Sequence, residues 1–85
     1  MKLRVLYFAA LRERVGRSEE TVDAPEEIAT VAQLREWLAR RGEPWKEAFA
    51  QTRRVRAAVD QTMVEGPHAL HDGAEVAFFP PVTGG

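Results

Sequence analysis

The two residues of this chain with the clearest chemical use carry no side chains. Gly84 and Gly85 close the sequence after Pro80-Pro81-Val82-Thr83, and paired glycines enter a channel too narrow for a substituted residue and adopt backbone angles closed to others. What reaches the end of such a channel is the Gly85 α-carboxylate. With a reference pKa of about 3.5 it is an anion at neutral pH and a poor electrophile. Useful chemistry therefore requires a better leaving group, most economically that of an acyl adenylate made from ATP by another protein. The activated carbonyl then accepts sulfur to become a thiocarboxylate, or an amine to become an amide. Pro80 and Pro81 cannot donate ladder hydrogen bonds, so sheet pairing is expected to stop at Phe79 and the chain to leave extended. Residues 80–85 are expected to form an arm of roughly 20 Å, at about 3.3 Å per residue, projecting from a domain of residues 1–79.

Other chemistries find less support. There are no cysteines among the 85 residues, which excludes a disulfide scaffold, a thiolate metal site and a cysteine nucleophile. His68 and His71 with Asp72 share a short stretch between Pro67 and Gly73, but a complete metal site needs a third or fourth ligand on an ordered scaffold, so they read as loop residues. The pairs Glu19-Glu20 and Glu26-Glu27 are most simply solvated, and no Ser, His and Asp set has a recognisable context, so no turnover is expected of this chain alone. Arg53, Arg54 and Arg56 invite a nucleic-acid reading. Twelve basic against thirteen acidic residues give a net charge of −1, and a strand edge or a patch meeting an acidic partner is the better reading. The apolar runs Val5 to Leu11 and Val76 to Val82 fall far short of the roughly 20 residues a membrane span requires. With charges threaded into the first apolar stretch and no cleavage-site pattern after it, a cytoplasmic location is expected.

The elements that must position the arm follow from periodicity. Lys2 to Phe8 alternates, with Leu3, Val5 and Tyr7 on one face and Arg4, Leu6 and Phe8 on the other, which predicts a strand. Only one face can pack on a single-layer core, so Leu6 and Phe8 are candidates for an exposed apolar patch. Ala9 to Val15 predicts a short helix closed by Gly16, and Ser18 to Val22 a returning strand. Thr30 and Gln33 form a capping-box pattern ahead of Val31, Leu34 and Leu38, predicting a helix over Val31 to Arg41 with Gly42 beyond it. Trp37 widens that stripe as a core-edge indole. Pro44 suits the first turn of another helix carrying Trp45, Ala48 and Phe49. Val55, Ala57 and Val59 predict a third strand, Gln61 to Val64 a fourth, and Glu75 to Phe79 a fifth. The simplest packing is an α+β fold in which a mixed sheet of about five strands is covered on one face by one main helix.

The run from Asp72 to Gly85, ending Phe78-Phe79-Pro80-Pro81-Val82-Thr83-Gly84-Gly85, resembles the end of the small subunits of molybdopterin synthase, the MoaD family of ubiquitin-like, β-grasp sulfur carriers. Val5-Leu6-Tyr7-Phe8-Ala9 with Arg12-Glu13 is similar to that family's first strand and following helix. Ala57-Ala58-Val59-Asp60-Gln61-Thr62-Met63-Val64 resembles its middle strand pair, with Asp60 a minor departure from the commoner Asn. The resemblance implies that Gly85 is adenylated by an E1-like activating enzyme, which uses the ATP, and is then thiocarboxylated by a sulfur donor. The large synthase subunit would receive the tail and pass the sulfur to cyclic pyranopterin monophosphate, building the molybdopterin dithiolene. Gly85 would be the carrier and Gly84 its slim neighbour; Thr83, Val82, Pro81 and Pro80 would position the arm. Phe8, Arg12, Met63 and Phe79 would line the docking surface, with Leu6 added by the strand alternation. No cofactor bound by the chain itself is implied. A thiamine-type or tRNA-thiolation-type carrier, a protein modifier joined through Gly85 to lysines, and a plain interaction module remain the alternatives. The chain itself has only Lys2 and Lys46 as lysine acceptors.

Overall fold

The computed structural model describes residues 1–52 and 54–81. In chain order the elements are β1 (Lys2–Tyr7), α1 (Ala9–Val15), β2 (Glu19–Asp23), α2 (Val31–Ala39), α3 (Trp45–Gln51), β3 (Arg56–Val59), β4 (Thr62–Val64) and β5 (Glu75–Phe79). The strands form one mixed sheet in the order β2-β1-β5-β3-β4. β5, the most continuously apolar strand, takes the centre, where its Val76, Ala77 and Phe78 are all buried. It runs parallel to β1, with Leu6 opposite Ala77 and Tyr7 opposite Phe78, and antiparallel to β3, with Ala58 opposite Ala77 and Arg56 opposite Phe79.

Period-two alternation sorts the sheet residues onto two faces. Leu3, Val5, Tyr7, Val22, Ala57, Val59, Val76 and Phe78 join Leu11 and Val15 of α1, Val31, Leu34 and Leu38 of α2, and Ala48 of α3 in a single buried cluster. The Phe49 ring meets Phe78 edge-on, with centroids 5.5 Å apart. The α+β expectation holds: α2, the longest helix, covers the inner face together with the shorter α1 and α3. A sheet of five strands is wider than one nine-residue helix can shield.

Local signals set most boundaries. Thr30 accepts from the Gln33 backbone N–H while the Gln33 side chain accepts from the Thr30 N–H, the complete capping box. Gly16 closes α1 at φ 86°, a left-handed conformation that favours glycine. The bounds of six elements differ from expectation. Phe8, still extended and donating its N–H to the Phe78 carbonyl at 3.1 Å, is the last residue before α1, because the backbone turns at Ala9, at φ 55°. β2 runs one residue later than Ser18 to Val22, since Lys2 pairs with Asp23. α2 stops at Ala39, with Arg40 as its cap. Pro44 precedes α3 rather than occupying its first turn. β3 and β4 start one residue late, at Arg56 and Thr62, the latter because Asp60 and Gln61, at φ 48° and 69°, make the two-residue turn between them. Asp tolerates that conformation nearly as well as Asn, which accounts for the Asp60 departure.

Candidate functional site

The outer face of the sheet, opposite the helices, carries a row of apolar side chains that follows from the strand register. Leu6 of β1, Ala77 of β5, Ala58 of β3 and Met63 of β4 lie successively opposite one another. Ala77 is only 7% exposed despite facing away from the core; a methyl group between the larger Leu6 and its other neighbours is shielded by them. Met63 ends the row 51% exposed. One step nearer the C-terminal end of β5 comes Phe79, half-buried, with Arg56 opposite it. Phe8 is 44% exposed and is held beside β5 by its backbone bond to Phe78. Pro80 and Pro81, both half-buried, follow directly. Pro80 and Pro81 thus follow at the margin of an apolar surface formed by Leu6, Phe8, Met63 and Phe79. Phe8 and Met63 are the large hydrophobic side chains that stand exposed among the described residues.

Arg12 is exposed on α1, in the turn that begins at Phe8, where its N–H donates to the Phe8 carbonyl at 3.3 Å. At the other end of the outer face, Arg4 pairs with Glu19 at 2.9 Å and Glu75 at 3.7 Å, so those charges are balanced internally. Val82, Thr83, Gly84, Gly85 and Arg53 lie outside the described residues. Arg54 and Arg56 are exposed on different features, the turn before β3 and the outer face of β3 itself.

Among the described residues no group of three or more His, Asp or Glu side chains is assembled. Both nitrogens of His71 have partners: Nε2 lies 2.7 Å from Asp60 Oδ2 and Nδ1 lies 3.0 Å from the Asp72 carbonyl. Asp60 also accepts the Glu75 N–H at 3.0 Å, pinning the β3–β4 turn to the start of β5. The backbone bond from Glu75 and then His71 hold the Asp60 carboxyl below its ordinary pKa, and Asp60 raises that of His71.

One acidic pair departs from expectation. Glu19 is exposed, but the Glu20 side chain is only 8% exposed. It accepts from the Tyr7 hydroxyl at 2.7 Å, Arg41 at 3.0 Å and the Trp45 indole N–H at 3.2 Å, with Arg17 at 3.4 Å. The Arg41 guanidinium sits 4.0 Å from the centre of the Trp45 ring. Burial, then the bond to Glu20, raises the Tyr7 hydroxyl pKa. Glu20 ties the α2–α3 corner to β1 and β2, which is an architectural role. A hollow of about 530 Å³ lined by Glu36, Ala39, Arg40, Gly42 and Lys46 lies between α2 and α3 and includes none of Leu6, Phe8, Met63 and Phe79.

Known proteins give this geometry a context. The ThiS family model matches residues 5–85. The molybdopterin synthase sulfur carrier subunit of Escherichia coli strain K12 is 46% identical over 83 residues, spanning 98% of this chain and 99% of that one. Its Haemophilus influenzae counterpart is 39% identical over 83 residues, again 98% of this chain and 99% of the relative. A solved Pyrococcus furiosus chain described as molybdopterin converting factor subunit 1 superposes with a TM-score of 0.79 at 33% identity, covering 96% of this chain and 99% of its own. The sheet order and helix placement are accordingly the ubiquitin-like β-grasp fold.

Proposed function

The chain belongs to the ThiS family, and from that membership we propose that it is the sulfur carrier subunit of a molybdopterin synthase, non-catalytic by itself. An E1-like enzyme converts the Gly85 carboxylate to an acyl adenylate with release of pyrophosphate. A sulfur donor displaces AMP, leaving a C-terminal thiocarboxylate. The large synthase subunit then takes the arm of residues 80–85, and sulfur passes to cyclic pyranopterin monophosphate while water restores the carboxylate. A dithiolene holds two sulfurs and each carrier brings one, so two loaded carriers serve each pterin.

The observation that carries this reading is the end-to-end identity of 46% to a named sulfur carrier subunit. The geometry supports it physically. A carrier that visits two enzymes needs an apolar surface to dock and a slim arm to deliver its cargo, and Phe8, Leu6, Met63 and Phe79 surround the root of that arm with Arg12 at its rim. No described helix is long and apolar enough to cross a membrane, which suits a carrier working among cytoplasmic enzymes.

The test is the intact mass of the N-terminally tagged chain recovered gently from its own cells, with the identity of co-purifying proteins. Exchange of one oxygen for sulfur at Gly85, together with a synthase-type large subunit, is the expected result. Isopeptide adducts on other proteins would move the chain to the modifiers. An unmodified terminus with neither partner would leave a plain interaction module.

A further inference from the structure

We propose that Arg56 is a partner-selecting cation: it flanks the root of the arm on the β3 side and is read by a carboxylate at the mouth of the channel in the large synthase subunit that receives the arm. The inference rests on the carrier reading above and deepens it. Its basis is the distribution of charge on the outer face. At the end far from the arm, Arg4 is neutralised by Glu19 and Glu75. The middle row, from Leu6 through Ala77 and Ala58 to Met63, carries no charge. Arg56 then stands opposite Phe79, the last strand residue before Pro80. It is exposed, and no carboxylate among the described residues pairs with it, not even the exposed Glu65 just beyond β4.

Ala58 and Arg56 share a face, so a partner that covers the apolar row and takes the arm must pass over the Arg56 guanidinium. Covering it with apolar surface would strand a charge away from water. A carboxylate at that point of the partner's rim answers it, and the Arg fork suits a bidentate contact. Arg12, on the α1 side, stands likewise without a described carboxylate partner. Arg56 thus stands beside Phe79, where the chain leaves the sheet, with Glu65 near it but not in ion-pair contact, and such a cation would orient an acidic channel mouth before apolar contact is made. Charge at an interface rim acts chiefly on the association rate and its salt dependence.

The experiment is stopped-flow association of the full-length chain with the large synthase subunit of the same organism at several salt concentrations, using wild type, R56E, R56K and K46E. Lys46 is exposed on α3, on the far side of the sheet, and its reversal changes net charge equally. R56E is expected to associate about 3- to 10-fold more slowly at low salt, with dissociation changed less than about twofold, and to approach wild type as the screening length shrinks toward about 3 Å at 1 M. R56K is expected to keep most of the rate, and K46E to match wild type. If wild type does not bind the large subunit, the carrier reading falls and takes this inference with it. If wild type binds but R56E behaves as K46E does at every salt concentration, or alters only dissociation without salt dependence, the role of Arg56 is overturned while the carrier reading stands.

Discussion

Truncating Phe8 and Met63 tests whether the outer face docks the large subunit, and the structure sets the size of the effect. Phe8 is 44% exposed; if burying a whole phenylalanine is worth about 3 kcal/mol, the part left for a partner is worth roughly 1.3 kcal/mol. Met63, 51% exposed, holds a similar roughly 1.3 kcal/mol of a total near 2.5. At about 1.4 kcal/mol per decade, each alanine variant should weaken binding about tenfold. The two lie on opposite sides of β5 and β3, three strand spacings or about 14 Å apart, so their effects should add and the double variant should lose about 100-fold. Phe8 makes no side-chain cap bond to α1, so F8A keeps the backbone bond to Phe78 and sacrifices only its buried part, about 1–2 kcal/mol of folding stability. Titration calorimetry against the large subunit gives the affinities, and urea unfolding confirms the fold. Affinity unchanged within about twofold in the double variant, with the fold intact, would refute the docking argument. An M63A affinity equal to wild type would show that Met63 lies outside the contact.

Four further outcomes follow from particular contacts. Deleting Gly84 and Gly85 should abolish formation of thiocarboxylate by the activating enzyme, read by intact mass, while leaving the urea midpoint unchanged. Glu20→Ala removes the acceptor for the buried Tyr7 hydroxyl and for Trp45 and Arg41, and should lower unfolding free energy by about 3 kcal/mol in urea; a loss under about 0.5 kcal/mol would mean that water replaces the carboxylate freely. The raised Tyr7 pKa favours the neutral hydroxyl in the folded state. Its contribution is complete below the unfolded value of about 10 and is lost as pH rises through the higher folded value, so Y7F should flatten the alkaline limb of a stability–pH curve. His71 should titrate by NMR above its ordinary 6.5 and return toward it in D60N. Its raised pKa contributes stability below about 6.5 that fades as pH climbs through the folded value. The lowered Asp60 pKa contributes above about 3.9 and fades as pH falls through its folded value, so the pair is strongest between those limits.

What the sequence alone determined is what neighbours in the chain decide. The Thr30–Gln33 capping box, the Gly16 helix end, the bounds of α1 and β5, and the alternation that sets Leu6 and Arg56 on the face opposite the core all rest on residues a few positions apart, where backbone sterics and side-chain spacing act directly. The reading proposed for Gly84 and Gly85 likewise came from the chain alone, since it concerns a carboxylate and the absence of side chains, and both residues lie outside the described ones. The tertiary structure decided everything that needs two distant segments side by side. Glu20 looked solvated because its partners Tyr7, Arg41 and Trp45 are 13, 21 and 25 residues away. Phe8 stands at the start of α1 rather than within β1 because the backbone turns at Ala9, at φ 55°. Met63 joins Leu6, and Arg56 meets Phe79, only through the order β1-β5-β3-β4. Strand order is a property of long-range pairing, and a residue's own neighbours carry no record of which strand will lie beside it.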